Sequence, residues 1–424
     1  MTRGTRKVNR PATRHAAAGT AVGAGSNLRA MDPRTGLPVV GMVGAGQLAR
    51  MTYQAAIALG QSLRILAGSP DDGAALVAAE VVLGDHTSYA DLAGFAAGCD
   101  VLTFDHEHVP TELVRKLADE GHAVCPPAEA LRYAQDKQAM RERLAELGVP
   151  VPRWARVSSV AELAAFGTGV GWPVVLKAAR GGYDGKGVWV VEAAPDAAPI
   201  VASGVPLIAE ERVLLVRELS ALVARSPYGQ GAAWPVVETV QADGICVEVL
   251  APAPALPTEL AERAQALALR IAAELGVVGV LAVELFETAG GRLLVNELAM
   301  RPHNSGHWTI EGARTSQFEQ HLRAVLDYPL GSTTLAAPAV AMANVLGDQS
   351  SGDQSSSDRS RGAGIDERVH HLMARWPDAK IHLYGKAIRP GRKVGHVTVL
   401  GADLAEVRER AVAAARYLSG GVLP

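Results

Sequence analysis

Two acidic residues in one predicted hairpin offer the clearest chemistry in this sequence. Apolar segments flank Gly290-Gly291, a dipeptide that favours a two-residue turn between antiparallel strands. With these glycines as the turn, Glu284 lies opposite Glu297, and their β-carbons are expected roughly 4.5–5.5 Å apart. Such carboxylates repel, and Mg²⁺ favours a carboxylate pair together with nucleotide phosphates. The hairpin therefore predicts a magnesium site, with two solvated surface acids as the alternative.

The segment after this hairpin is dense in polar groups. Asn296 precedes Glu297, and Arg301, His303 and Asn304 follow within a few residues. A cation and neutral hydrogen-bonding groups therefore follow the proposed metal site within one short loop. An active site is expected here.

A glycine-rich loop lies between two predicted strands further upstream. It reads RGGYDGKG over residues 180–187. A plain hairpin loop would not need four glycines and the cation Lys186, whereas the N–H groups of a flexible loop can close over phosphates. The sequence therefore predicts a mobile phosphate-binding lid.

Another glycine turn, GAGQLA at 44–49, follows the first predicted strand and begins a helix that ends at Gly60. A helix N-terminus after such a turn can bind a phosphate, so a nicotinamide oxidoreductase is an alternative. That alternative is disfavoured because Gly68-Ser69-Pro70, and no acid, follows the second strand, where a dinucleotide ribose would be bound.

Asp105-His106-Glu107-His108 follows a further predicted parallel strand, at the sheet edge where ligands bind. Zinc is an alternative because histidine and carboxylate ligands are present. Successive residues of an extended segment point to opposite faces, however, which disfavours a shared metal. A substrate-binding acid is the favoured interpretation, and both Asp105 and Glu107 are candidates.

Composition narrows the class of protein. The 424-residue chain is 48% hydrophobic with a net charge of −3, so neither nucleic acid nor an anionic membrane is an expected partner. Three cysteines without metal-ligand spacing fit a reduced, cytoplasmic compartment. Residues 1–30 are basic without apolar periodicity, and 347–364 contain GDQSS twice, so both segments are expected to be disordered.

Four motifs in this order resemble the ATP-grasp superfamily, and within it the purine-biosynthetic 5-(carboxyamino)imidazole ribonucleotide synthase family. They are GAGQLARM at 44–51, RGGYDGKG at 180–187, NELAMRPHNSGHWT at 296–309 and RPGRKVGH at 389–396. The resemblance implies an α/β ATP-grasp fold. Its expected parts are a Rossmann-like parallel-sheet PreATP-grasp domain (31–130), a small lid subdomain (131–217), a catalytic subdomain (218–346) and a small β-rich C-terminal subdomain (365–424).

The resemblance also implies roles for individual residues. ATP would be bound by Lys137, Lys177, Gly181, Gly182, Gly185, Lys186, Gly187, the hinge residues Glu210, Glu211, Arg212 and Val213, the ribose-binding acid Glu218, and Asn296. The ribonucleotide would be bound by Gly44, Gly46, Gln47, Leu48, Glu107, Tyr183, Asp184, Lys386, Arg392 and Lys393. Catalysis would involve Asp184, Arg301, His303 and Asn304, and Glu284 and Glu297 would bind Mg²⁺, with Mn²⁺ as the other suitable ion.

The implied reaction joins ATP, bicarbonate and 5-aminoimidazole ribonucleotide through carboxyphosphate, in a cytoplasmic homodimer. Three positions depart from the expected pattern, namely Asp105, Val188 and Met300. A formate- or glycine-activating ligase of the same superfamily is the alternative. It would share the ATP site and differ at 107, 301–304 and 386–392.

Overall fold

The computed structural model of this protein describes residues 31–182, 185–347 and 364–420. Residues 1–30 and 348–363, for which disorder is expected, lie outside the described residues. The same holds for Tyr183 and Asp184, two of the expected substrate contacts.

The N-terminal part is a parallel sheet of four strands in the order β3-β2-β1-β4, as the sequence predicts. The strands are β1 (Val39–Val43), β2 (Ser62–Ala67), β3 (Val81–Leu83) and β4 (Val101–Phe104). The helices are α1 (Gln47–Leu59), α2 (Tyr89–Ala96), α3 (Thr111–Asp119) and α4 (Ala128–Gln135). Strands β1 and β4 are buried throughout, in keeping with their largely apolar sequences.

A second sheet, antiparallel and in the order β5-β8-β6-β7, carries the glycine-rich loop. Its strands are β5 (Trp154–Val157), β6 (Val174–Ala178), β7 (Val188–Val191) and β8 (Leu207–Glu211). The accompanying helices are α5 (Lys137–Glu146), α6 (Val160–Val170) and α7 (Ala198–Ala202). The loop joins β6 to β7, which pair with each other at one edge of this sheet.

The third sheet has nine strands, with β10 paired to β9 beside the path β14-β13-β9-β11-β12-β15-β17-β16. The strands are β9 (Leu215–Arg225), β10 (Gly231–Ala233), β11 (Val237–Ala242), β12 (Ile245–Ala251), β13 (Gly279–Thr288), β14 (Leu293–Ala299), β15 (Ala339–Leu346), β16 (Lys380–Leu383) and β17 (Lys393–Gly401). The helices are α8 (Thr258–Glu274), α9 (Thr309–Gly312), α10 (Gln317–Val325), α11 (Ile365–Arg375) and α12 (Leu404–Leu418). One sheet thus continues from the expected catalytic subdomain into the expected C-terminal one, and the domain boundaries stay predictions.

The turn between β13 and β14 differs from the prediction. The hydrogen bond from Thr288 N to Arg292 O, at 3.0 Å, closes a loop of three residues, in which Gly291 has a φ of 67°. The predicted two-residue turn at Gly290-Gly291 is therefore wrong. The loop needs glycine at position 291, because a side chain there would be strained.

Glu284 nevertheless lies directly opposite Glu297, because a bulge compensates for the longer loop. Leu285 pairs with Val295, and the register then shifts by one, which leaves Asn296 as the extra residue of β14. A bulge of this kind redirects a side chain and is frequent beside active sites. The predicted carboxylate pair is present, and it depends on a feature that the hairpin pattern does not contain.

In the described part of the chain, every helix is too short or too polar to cross a lipid bilayer. Cys99, Cys125 and Cys246 are all free thiols.

Candidate active site

The two opposed carboxylates have different neighbours. Glu297 forms an ion pair with Lys137, the first residue of α5. Glu284 lies beside the Asn296 amide, at 3.5 Å, and the His303 ring, at 3.4 Å. Burial raises the pKa of Glu284 to about 7, and the nearby charge of Glu297 adds to the rise. A divalent cation between the two acids would remove this repulsion, so the pair fits Mg²⁺.

Lys177, at the lid side of the site, is held by two groups. Its Nζ lies 2.9 Å from Asn296 Oδ1 and 2.8 Å from Glu210 Oε2. The Glu210 carboxylate, only 2% exposed, also accepts from Arg141 Nε at 2.8 Å. Burial alone would raise the pKa of Glu210, but the charges of Arg141 and Lys177 outweigh it and the net shift is downward.

The residues of the predicted adenine hinge have different partners in this structure. The Glu210 side chain faces two cations, whereas Glu211 binds Arg153 at 2.7 Å, and Arg212 and Val213 follow β8 in the connection to β9. Glu218, the expected ribose acid, lies on β9 opposite Thr239, and burial raises the pKa of its carboxyl.

Arg141 is a site residue that the sequence interpretation missed. Besides Glu210, its guanidinium binds the backbone carbonyls of Val295 (3.1 Å) and Asn296 (2.7 Å) at the bulge. A usable signal exists, because Arg141 is four residues after Lys137 and such residues share one face of a helix. α5 therefore presents both cations to β14.

The glycines of the lid differ in what they require. Gly181, Gly185 and Gly187 have φ values of 78°, 75° and 73°, which favour glycine. At Gly182 the constraint is space, since a β-carbon there would lie 2.8 Å from the Lys186 carbonyl oxygen. The loop is thus built for glycine at four positions.

The glycine turn before α1 is occupied by an acid in this structure. Asp105 accepts hydrogen bonds from Gly46 N at 2.6 Å and Ala49 N at 2.7 Å. Gly44 N in turn donates to the carbonyl of Leu66 at 2.9 Å. In this conformation the N–H groups of Gly44 and Gly46 donate within the protein, and their expected contact with the substrate stays a prediction.

Glu107 has a different environment from Asp105. It accepts from Arg301 Nη2 and from Met300 N, each at 3.0 Å. Of the two candidate acids, Glu107 is therefore the one that contacts the polar loop after β14.

Three further predicted substrate residues lie in or directly after the connection between β16 and β17. Lys386, from the connection between β16 and β17, contacts the Gln47 side chain, and Arg392 Nη1 lies 3.4 Å from Ala387 O. Lys393 begins β17. The Leu48 side chain is buried in a cluster with Phe318 and Tyr384, which leaves its backbone as the part that would contact a ligand.

The polar loop brings its three predicted residues to the edge of the large sheet. Arg301 binds Glu107, and His303 faces Glu284. Asn304 begins a 3-10 turn, Asn304–Gly306. Burial lowers the pKa of His303 well below its ordinary value, so its ring is neutral.

The zinc alternative finds no support in residues 31–182, 185–347 and 364–420, where no three His, Cys, Asp or Glu side chains converge as metal ligands. The rings of His86, His106 and His108 do lie near one another, with centroids 4.6 and 5.4 Å apart. Burial lowers the pKa of His106 to about 3, so this ring is also neutral.

Family models match nearly the whole described chain. The ribonucleotide synthetase preATP-grasp domain matches residues 37–135, and the ATP-grasp domain matches residues 142–318. The phosphoribosylaminoimidazole carboxylase C-terminal domain matches residues 340–410. These matches confirm the ATP-grasp fold that the motifs imply.

Curated relatives share high sequence identity with the chain. The N5-carboxyaminoimidazole ribonucleotide synthase of Mycobacterium tuberculosis is 62% identical over 388 residues, which cover 91% of this chain and 88% of that protein. The same enzyme of Corynebacterium ammoniagenes is 52% identical over 392 residues, with coverage of 90% and 92%.

Solved structures of the same enzyme superpose on this chain. That of Thermus thermophilus has a TM-score of 0.79 at 38% identity and covers 90% of this chain and 99% of its own. The Aspergillus clavatus enzyme in complex with ADP and 5-aminoimidazole ribonucleotide has a TM-score of 0.79 at 32% identity, with coverage of 90% and 98%. The chain therefore belongs to the N5-carboxyaminoimidazole ribonucleotide synthase family of ATP-grasp ligases.

Proposed function

We propose that the cleft between the lid sheet and the large sheet carboxylates the exocyclic amine of 5-aminoimidazole ribonucleotide. The chain is an ATP-dependent carbon–nitrogen ligase of purine biosynthesis, because it belongs to a family with this activity. One observation carries the assignment of the site. Arg301 and His303 belong to a single short loop, and they connect the ribonucleotide side, through Glu107, with the metal side, through Glu284.

ATP is proposed to lie between the lid and the carboxylate pair. Lys137 and Lys177 both face this space, at Glu297 and Asn296, and can bind phosphate oxygens as point charges. Glu284 and Glu297 would hold Mg²⁺, or Mn²⁺, which when bound neutralises charge on the phosphates. Closure of the 181–187 loop would exclude water, which would otherwise hydrolyse the reactive intermediate.

Bicarbonate is a poor electrophile, so it must first be activated. One of its oxygens attacks the γ-phosphorus of ATP, ADP leaves, and carboxyphosphate forms. The amine nitrogen then attacks the carboxyl carbon of carboxyphosphate and phosphate leaves, or carboxyphosphate first releases phosphate and CO₂ and the nitrogen attacks the CO₂. In both cases the nitrogen loses a proton. Arg301, His303 and Asn304 are proposed to bind the one-carbon unit, because the loop offers one cation and neutral hydrogen-bonding groups.

The ribonucleotide is proposed to bind where α1, β4 and the 384–393 segment meet. Lys386 and Arg392 supply cations for its phosphate, and Gln47 lies beside Lys386. Tyr183 and Asp184 are proposed to join it from the lid. The complex of the Aspergillus clavatus relative with ADP and 5-aminoimidazole ribonucleotide supports the presence of both ligands in one active site.

Assembly as a cytoplasmic homodimer is a further proposal, made by resemblance. Sedimentation equilibrium would test it, and a monomer mass at micromolar concentration would contradict it.

The reaction is tested through its one-carbon substrate. Phosphate release is measured with ATP and 5-aminoimidazole ribonucleotide in carbonate-depleted buffer, and bicarbonate, formate or glycine is added back singly. The proposal expects bicarbonate alone to restore turnover, with no dependence on NAD(P)H. Restoration by formate or glycine instead would keep the ATP-grasp chemistry and overturn the assignment to this substrate.

A further inference from the structure

The backbone of His303 is held by one buried amide. Gln317, at the start of α10, accepts a hydrogen bond from His303 N at 2.9 Å and donates one to His303 O at 2.8 Å. The Gln317 side chain is fully buried. A single glutamine thus binds both backbone groups of His303, as a neighbouring strand would.

The Gln317 amide is also fully hydrogen-bonded and closely packed. Its Nε2 also lies 2.9 Å from His307 Nδ1, so both amide hydrogens have acceptors. A β-carbon on Gly306 would lie 2.4 Å from Gln317 Oε1, so the loop approaches this amide as closely as glycine allows. The segment from His303 to His307 is therefore built around Gln317.

The ring of His303 is held by a second set of bonds. Its Nδ1 lies 2.9 Å from Ser305 Oγ and accepts from Ser305 N at 3.3 Å. Ser305 Oγ is in turn 2.7 Å from Ser220 Oγ on β9, and both serines are buried. A backbone N–H can only donate, so Nδ1 must accept, and a neutral ring then carries its proton on Nε2.

The position of Nε2 connects this arrangement to the reaction. It lies 3.4 Å from Glu284 Oε1, at the proposed junction of metal and bicarbonate. An N–H donor at this position can bind a negative oxygen without adding a positive charge beside the metal.

We propose that Gln317 and Ser305 are positioning residues that fix His303 as an Nε2–H donor for the one-carbon unit, an inference that rests on the proposed function. Gln317 sets the place of the backbone, and Ser305 sets the tautomer and the plane of the ring. They act through His303, as groups behind a catalytic histidine do in other enzymes.

Gln317→Glu is the first test, because a carboxylate can still accept from His303 N but cannot donate to His303 O. Gln320→Glu is a matched control on the same helix. Gln320 is equally buried and clamps Gly331 in the same way, donating to its O at 2.8 Å and accepting from its N at 2.7 Å. We expect Gln317→Glu to lower kcat for carboxylation roughly 10- to 100-fold, with ATP affinity unchanged. Gln320→Glu should lower stability without this loss of kcat.

Ser305→Ala tests the ring contact, with the buried Ser226→Ala as its control. We expect Ser305→Ala to lower kcat and to increase the ADP formed per carboxylated product, because His303 loses its orientation. Ser226→Ala should leave the ratio of ADP to product at the wild-type value. Equal kcat and equal coupling in Ser305→Ala and wild type would overturn the role of Ser305.

A spectroscopic measurement keeps the proposal testable if these variants do not fold. Nitrogen-15 NMR of wild-type protein labelled on histidine reads the tautomer directly, with the His303 signal assigned by its loss in His303→Gln. A protonated Nε2 and an unprotonated Nδ1 are expected, and the opposite tautomer would overturn the proposal.

The proposed function and the proposed positioning role of Gln317 can be contradicted separately. If wild-type ADP formation does not require bicarbonate and the ribonucleotide, the proposed function fails. If it does require them and Gln317→Glu keeps the kcat of Gln320→Glu, only the positioning role fails.

Discussion

Glu284 and Glu297 are directly paired across β13 and β14, yet their surroundings are unequal. Glu297 has the charge of Lys137 against it, whereas Glu284 has the Asn296 amide and the neutral His303 ring. The pKa of Glu284 is accordingly raised to about 7, through burial and the charge of Glu297. Its carboxylate is therefore the one whose ionisation most needs a further cation.

Removal of the Glu284 charge should stabilise the metal-free protein. Glu284→Gln is expected to raise the free energy of unfolding in EDTA by about 1 kcal/mol, because like charges directly opposite in a sheet are destabilising. It should also abolish most of the stabilisation by Mg²⁺ and most ATP turnover. Urea denaturation with and without Mg²⁺ measures the first two effects.

Glu297→Gln is the matched comparison for this variant. It leaves Lys137 without its carboxylate partner, so a smaller gain in EDTA is expected, together with the loss of turnover. Near-wild-type activity of either variant at limiting Mg²⁺ would show that the pair does not bind the metal.

The lid is tested by Gly182→Val. Its β-carbon would meet the Lys186 carbonyl oxygen at 2.8 Å, so the loop must open or distort. Turnover with ATP should fall, while the global free energy of unfolding changes little, because the distortion is confined to the loop.

Gly169→Val, in α6 and with open space around its β-carbon, is the control for this lid variant. If Gly182→Val turns over as fast as the control, residues 181–187 are a connector and not a lid.

The buried pair of Arg141 and Glu210 is predicted to be important for stability. Arg141→Met leaves Glu210 buried with Lys177 as its remaining cation and frees two backbone carbonyls. We expect a loss of about 3–5 kcal/mol, the range for breaking one side of a buried ion pair. Denaturant unfolding measures it.

Arg143→Met serves as the control, since Arg143 pairs with Glu146 at the surface of the same helix. Its loss should stay within about 1 kcal/mol. Equal losses in the two variants would contradict a special role for Arg141.

A pH dependence is predicted for His321, which joins the N-terminal sheet to the large sheet. Its Nδ1 accepts from Val280 N at 3.1 Å, and its Nε2 lies 2.7 Å from Thr103 Oγ1. Burial lowers its pKa from 6.5 to about 4, so the unfolded chain binds the proton first as pH falls. The contribution of neutral His321 to the free energy of unfolding is therefore fully present above pH 6.5. It is lost as the pH falls from 6.5 to about 4.

The size of this contribution is about 3 kcal/mol if the whole shift is realised. His303, His307 and His396 are also buried with lowered pKa values, so the informative quantity is the difference between wild type and His321→Gln. That difference in unfolding free energy should narrow as pH falls from 7 towards 4. A difference independent of pH would contradict the prediction.

The sequence alone determined the features that depend on neighbouring residues. The apolar segments around Gly290-Gly291 predict the antiparallel hairpin of β13 and β14, and Gly60, with a φ of 65°, ends α1 where the pattern predicts. These features rest on backbone sterics and on side-chain periodicity, which a short segment carries within itself.

Only the tertiary structure decided which polar groups are partners. Asp105 binds the turn before α1 while Glu107 binds Arg301, although the two acids are two residues apart. Arg141 pairs with Glu210, and Gln317 pairs with His303, although no local sequence pattern predicts either contact. The physical reason is that burial makes an unpaired polar group costly, and its partner is whichever group long-range packing brings within hydrogen-bond distance.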